Sequence, residues 1–141
     1  MGIMCGRFAV TTDPALLAEK IKAIDEATSE KADGPTANYN VAPTTTVATV
    51  VKRHTDPDDE STRRVRLMRW GLVPPWAKEV GKGPLLFNAR AESAAEKSSF
   101  RSSVKSRRCL VPMDGWYEWK KGPADSKGKP TKIPFFMSPQ D

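Results

Sequence analysis

The chain has 141 residues and a formal net charge of +6, with 12 prolines, 9 glycines and 2 cysteines. That length suits one domain with a modest core, and so many prolines and glycines argue for short elements and turns, against a helical bundle. No apolar run is long enough to span a membrane, no basic-then-apolar leader precedes Cys5, and Gly6 stands where a myristoylation signal needs serine or threonine; the expectation is a cytoplasmic protein with reduced thiols.

Charge is unevenly placed. Arg63 to Arg108 carries 12 Lys/Arg against 3 Asp/Glu, and the rest of the chain carries 11 against 14. A basic middle between mildly acidic ends suits a face for a polyanion, or simply a solvated surface, and charge does not choose between them.

In chain order, Met4-Cys5-Gly6-Arg7-Phe8 comes first. A cysteine behind a methionine becomes a new N-terminus if translation starts at that methionine and it is trimmed. Such a residue offers two nucleophiles, an α-amine of pKa roughly 7.7–8.0 and a thiol of about 8.5. The amine condenses with an aldehyde, and the thiol can then close a five-membered thiazolidine, helped by being intramolecular. On these five residues alone a buried or merely incidental cysteine is the favoured reading. Gly6 allows close backbone approach and Arg7 is a phosphate ligand.

Thr12-Asp13-Pro14 opens a helix, with Asp13 or Thr12 as N-cap, and Leu17, Ile21 and Ile24 extend an apolar stripe to about Ala27. Asn38 to Pro43 reads as extended, Thr45 to Lys52 as a strand, and Arg64 to Trp70 as its hairpin partner across a long polar tip that carries His54, the only histidine. A lone histidine and two distant cysteines indicate no metal site. Gly71 to Trp76 is a rigid apolar loop, either a core plug or an edge for base stacking. Asn88 precedes a short helix expected over Ala91 to Lys97, so it is either that helix's cap or a site residue. Phe100 and Val104 suggest another helical turn. Cys109 to Pro112 reads as a short apolar strand with Cys109 a buried structural thiol. In Asp114-Gly115-Trp116-Tyr117-Glu118-Trp119, alternation puts Trp116, Glu118 and Lys120 on one face and Tyr117 and Trp119 on the other. A carboxylate beside aromatics suits acid–base work, or else pairs with Lys120 or an arginine. A flexible turn and a last strand over Ile133 to Met137 follow.

Met4 to Phe8, Tyr39 to Pro43, Arg69 to Leu72, Asn88 to Glu92, Cys109 to Pro112, Asp114 to Trp119 and Pro134 to Phe136 occur in one order over essentially the whole chain. In this the sequence resembles the SRAP family, the SOS-response-associated peptidase or abasic-site-processing domain. The resemblance implies a single α+β domain built round a bent, barrel-like mixed sheet with flanking short helices. It further implies an enzyme that detects abasic sites in single-stranded DNA and links to them covalently, in a cytoplasmic, nucleoid-associated bacterial setting, with no cofactor, metal or membrane. Cys5 would supply amine and thiol, Asn88 would hold the opened sugar or the N-terminal residue, and Glu118 would move protons. For DNA binding, Arg7, Arg90 and Arg108 would hold phosphates, and Asn40, Pro43 and Trp70 would line the strand. A cysteine autopeptidase using Cys5 and Glu118, and a non-catalytic single-stranded nucleic-acid binder, remain alternatives.

The sequence departs from the family pattern twice. Residues 1–3 precede Met4, and while they remain Cys5 has an amide in place of a free amine. The family's His-x-Arg-Met-Pro motif, expected well beyond the Glu118 segment, does not occur, so the expectation is a domain lacking its C-terminal, histidine-bearing part.

Overall fold

In this computed structural model the described residues are 5–30, 37–53 and 62–140. His54 lies outside them. The described residues form seven strands and four short helices: β1 Phe8–Val10, α1 Pro14–Ile21, β2 Ile24–Asp25, α2 Ala27–Glu30, β3 Asn38–Val41, β4 Thr46–Arg53, β5 Thr62–Arg69, α3 Ala91–Ala94, α4 Arg101–Ser106, β6 Gly115–Ala124 and β7 Pro130–Met137. The α+β class is as expected. The strands, however, divide into two sheets, ordered β3-β1-β6-β7 and β2-β5-β4, with no closed barrel among the described residues.

Alternation along β4 explains how the layers assemble. Val47 faces the four-stranded sheet and joins Phe8 and Val41 in a core cluster on which Val10, Trp70, Val111 and Trp116 pack. Ala48 and Val50 point the other way, with Leu67 and the fully buried Val65 of β5, against Ala18 of α1 and Ala27 of α2. Each large aliphatic or aromatic side chain so buried contributes about 1.5–3 kcal/mol. The one buried polar residue among those described, Thr49, is satisfied by donating its hydroxyl to Arg66 O at 2.9 Å.

Asp13 caps α1, accepting from Ala15 N at 2.8 Å and Leu16 N at 3.3 Å, with Pro14 at its first position. The helix ends at Ile21 rather than near Ala27, because Lys22 turns left-handed at φ 52° and its N–H closes on Ala18 O and Glu19 O. Ile24 therefore leaves the apolar stripe, joins the parallel pairing with β5 at Arg64, and is 44% exposed. Asp25 then caps α2, accepting from Ala27 N and Thr28 N. A bond from the Thr28 hydroxyl chiefly holds its carboxyl below the usual range; burial opposes this, and the two backbone bonds add to the lowering.

Cys109 to Pro112 does not form a strand. Leu110 makes one isolated bridge to Val50, with 2.9 Å hydrogen bonds in both directions. Likewise, helix α3 stops at Ala94, short of the expected Lys97. Ala42 to Thr45 forms a turn closed by Thr45 N on Ala42 O at 3.2 Å, with Pro43 at its second position and Thr44 at φ 77° in the third, where glycine is usual.

Gly115 opens β6 opposite Ala9 of β1, and a Cβ there would meet the Phe136 ring and the Met137 carbonyl. The absent side chain is what lets β7 lie against this end of β6. Gly115→Ala is expected to cost about 1–3 kcal/mol through forced displacement, read as a lower denaturation midpoint at unchanged m-value. An unchanged midpoint would show that β7 does not pack there.

Candidate active site

The front of the chain is fixed from three sides. Phe8, 1% exposed, pairs with Val41 on one flank of β1 and with Trp116 on the other. One residue earlier, Arg7 O accepts from Tyr117 N at 2.9 Å, which brings the approach to Cys5 alongside β6. Then Asn88, from the far side of the sequence, donates Nδ2 to Cys5 O at 2.7 Å. Asn88 does not cap α3, which has Arg90 at its N-cap with no side-chain capping bond. The Asn88 segment is itself positioned by Leu72 N donating to Leu86 O at 2.7 Å, the tie between the Gly71–Trp76 loop and residue 86.

Cys5 is half-buried, and its thiol donates weakly to Arg7 O at 3.4 Å. Burial chiefly pushes the thiol pKa up; the contact with Arg7 opposes this, and the charge of nearby Glu118 adds to the rise. Glu118 lies on the β6 face predicted by alternation, with Phe135 of β7 directly opposite. It borders a shallow hollow of about 290 Å³ that Phe135 and Met137 also line. Its Oε2 is shielded from solvent and has no hydrogen-bond partner among the described residues. The expected alternative, a pairing with Lys120 or an arginine, is not formed; the described ion pairs are Arg64 and Arg66 with Glu26, and Lys82 with Glu79. A buried acceptor without a donor is uncommon enough to call for a role. Asn88 is thus bonded to the Cys5 carbonyl, and the charge of Glu118 is felt at the Cys5 thiol.

Arg7 and Asn40 form a unit, with Arg7 Nη1 donating to Asn40 Oδ1 at 3.2 Å. A guanidinium has five N–H donors, so others remain for a phosphate. Pro43 and Trp70 are brought together by Thr44 N donating to Trp70 O at 2.7 Å. Trp70 is half-buried, its ring 4.8 Å from that of Phe8 and 6.1 Å from that of Phe87. Phe87 was not singled out from sequence. It packs beside Gly6, where an added Cβ would lie 3.8 Å from its ring, and its adjacency to Asn88 was the available signal. Trp76, 56% exposed, is no core plug. Arg90 and Arg108 are exposed and are not drawn into the hydrogen bonds around Cys5. Cys109 is exposed too, contrary to the expectation of a buried structural thiol: with a single bridge at Leu110, nothing folds over it. Among the described residues no group of three or more His, Cys, Asp or Glu could hold a metal ion, and no helix is long and apolar enough to cross a membrane.

If Glu118 lies beside the thiol, Glu118→Gln removes a repulsive charge and lowers the Cys5 pKa, so more thiolate is present at a given pH. Alkylation of Cys5 by iodoacetamide at pH 8, followed by peptide mapping to separate it from Cys109, is expected to speed up. An unchanged or slower rate refutes the proximity.

Comparison with known proteins adds the following. Residues 4–141 match the family model described as SOS response associated peptidase (SRAP). The abasic site processing protein YoqW of Bacillus subtilis is 41% identical over 131 residues, covering 93% of this chain and 52% of that protein. The abasic site processing protein HMCES of Rattus norvegicus is 38% identical over 107 residues, covering 72% of this chain and 30% of that one. The chain thus spans about half the length of YoqW and less of HMCES. A crystal structure of a Bacteroides thetaiotaomicron protein aligns with TM-score 0.75 at 22% identity, over 97% of this chain and 55% of that one, a likeness of fold.

Proposed function

Because the chain belongs to the SRAP family, we propose that it acts in the response to abasic sites in DNA, capturing them in single strands through a covalent bond to Cys5. The observation that carries this reading is the Asn88 amide bonded to the Cys5 carbonyl, with the charge of Glu118, whose Oε2 has no partner among the described residues, felt at the thiol. The names of YoqW and HMCES support the substrate.

The chemistry needs Cys5 to bear a free α-amine, so it begins once residues 1–4 are removed. The amine attacks the C1′ aldehyde of the ring-opened sugar, and the carbinolamine loses water to give an imine. The thiol sulfur then adds to the imine carbon while its proton passes to nitrogen, closing the thiazolidine with nothing further lost. Glu118 receives and returns protons in these steps, from an oxygen that no other side chain occupies. Asn88, bound to the Cys5 carbonyl, sets the direction of the N-terminal residue. Arg7 with Asn40, and the exposed Arg90 and Arg108, hold phosphates, while the Pro43–Trp70 edge meets a neighbouring base.

The raised thiol pKa favours this reading over a thiolate hydrolase. A nucleophilic cysteine is normally activated by lowering its pKa, whereas here burial and a carboxylate act the other way. Capture that starts at the amine does not need the thiolate first.

The test mixes protein beginning at Cys5 with abasic single-stranded DNA and resolves the products on a denaturing gel. A shifted band is expected, lost in Cys5→Ala and formed about 10²-fold or more slowly in Glu118→Gln, the range usual for a removed acid–base group. The same band from N-terminally acetylated protein would refute the mechanism. Equal salt-sensitive binding to intact and abasic strands with no band would identify a non-covalent binder instead.

A further inference from the structure

The segment that presents the Asn88 amide, residues 87–89, belongs to no strand or helix. Before it the backbone is tied where Leu72 N donates to Leu86 O at 2.7 Å, and after it Arg90 stands as the N-cap of α3. Asn88 Nδ2 keeps its 2.7 Å bond to Cys5 O only while its own backbone is held, because a hydrogen bond weakens steeply as distance and angle drift. What holds that backbone is therefore part of what aims Cys5.

The side chain next to Asn88 is Phe87, half-buried and set against two fixed neighbours. The first is the indole of Trp70, met edge-on with centroids 6.1 Å apart and planes at 87°, a favourable arrangement for an aromatic pair. Trp70 is itself immobilised. It packs on the core cluster of Phe8, Val41 and Val47, its N–H donates to Thr45 O at 2.9 Å, and its carbonyl accepts from Thr44 N. The second neighbour is Gly6, where a Cβ added to the backbone would lie 3.8 Å from Phe87 Cε2. One aromatic ring thus faces the residue that follows Cys5, while the amide of the very next residue binds the Cys5 carbonyl.

We infer that Phe87 is a positioning residue for Cys5: packed against Trp70 and Gly6, its ring fixes the backbone at 87–88 so that the Asn88 amide stays on the Cys5 carbonyl. The inference rests on the capture reading above and adds a part that touches neither DNA nor the reacting atoms. Its effect belongs to the rate, since a reactive group misplaced by about 1 Å can cost on the order of 10²-fold. A side chain that merely filled space would act independently of Asn88. One that works through Asn88 must be coupled to it, because removing either breaks the same link.

The experiment is a double-mutant cycle on protein beginning at Cys5, mixed with abasic single-stranded DNA over a range of concentrations and followed on a denaturing gel. Phe87→Ala is expected to slow adduct formation at saturating DNA by about tenfold or more, with the half-saturating DNA concentration unchanged within about twofold. In the Asn88→Ala background the same change should cost less than about twofold further, because the link it supports is already gone. A full multiplicative loss in that background overturns the inference and leaves Phe87 a space filler. So does an unchanged rate in the single variant. A half-saturating concentration that rises in step with the slowing overturns it too, by placing the ring on the DNA-binding edge. Thermal melts establish that the variants fold, and Phe87→Val carries the cycle should Phe87→Ala not. Absence of any adduct from the unsubstituted protein would instead sink the capture reading, and the same cycle read as iodoacetamide alkylation of Cys5 then decides this inference alone. Each single variant should speed alkylation by about threefold or more, as the thiol escapes the burial that raises its pKa, and the pair should add less than about twofold. Unchanged or multiplying alkylation rates overturn it.

Discussion

Burial of Phe8 sets where the front of the chain can go. β1 is three residues long, yet it lies inside a four-stranded sheet, paired to β3 on one side and β6 on the other. A one-residue slip would turn Phe8 out of the cluster it shares with Val41 and Val47, and would lose much of the burial energy of a large aromatic. With the register locked, Arg7 must meet Tyr117 N, and Cys5 must arrive near Glu118. A core residue thereby aims the segment that carries Cys5. The same cluster takes in Trp70, so the edge proposed for stacking and the approach to Cys5 share a foundation.

The electrostatics around Cys5 follow from what surrounds Glu118. Its carboxylate stands beside Trp119, Lys120, Phe135 and Met137, one oxygen lacks a donor among the described residues, and its charge opposes ionisation of the nearby thiol. Ordinary folding economy removes such arrangements, because a buried acceptor left unmade costs on the order of 1–3 kcal/mol. Retaining one beside a thiol suits the proton exchange proposed for this site.

Much of this was readable in the residues, and the parts that were not share a cause. Asp13-Pro14 announced α1, alternation placed Glu118 on the correct face, and the Thr/Val-rich run gave β4, since all three signals are local. Three readings depended on something distant or unusual. Asn88 stayed open between cap and site residue because the partner of its amide lies 83 positions earlier in the chain. Ile24 kept helical spacing, but Lys22 adopts a left-handed conformation without being glycine, so no punctuation marked the helix end. Cys109 sat in an apolar run that promised burial, and only pairing partners, of which Leu110 alone found one, could have supplied it. Motif order identified the family where spacing could not have identified the chemistry.

Thr44 gives the fold an uncommon property. A β-branched residue at positive φ is strained by about 1–3 kcal/mol, and this one is held there by a turn that also joins Pro43 to Trp70. Stability has thus been forgone at a turn that two backbone hydrogen bonds, Thr44 N to Trp70 O and Trp70 N to Thr45 O, tie to that edge. Glycine at this position would relieve the strain while loosening the edge, so robustness and the set of that edge should part company in a single substitution.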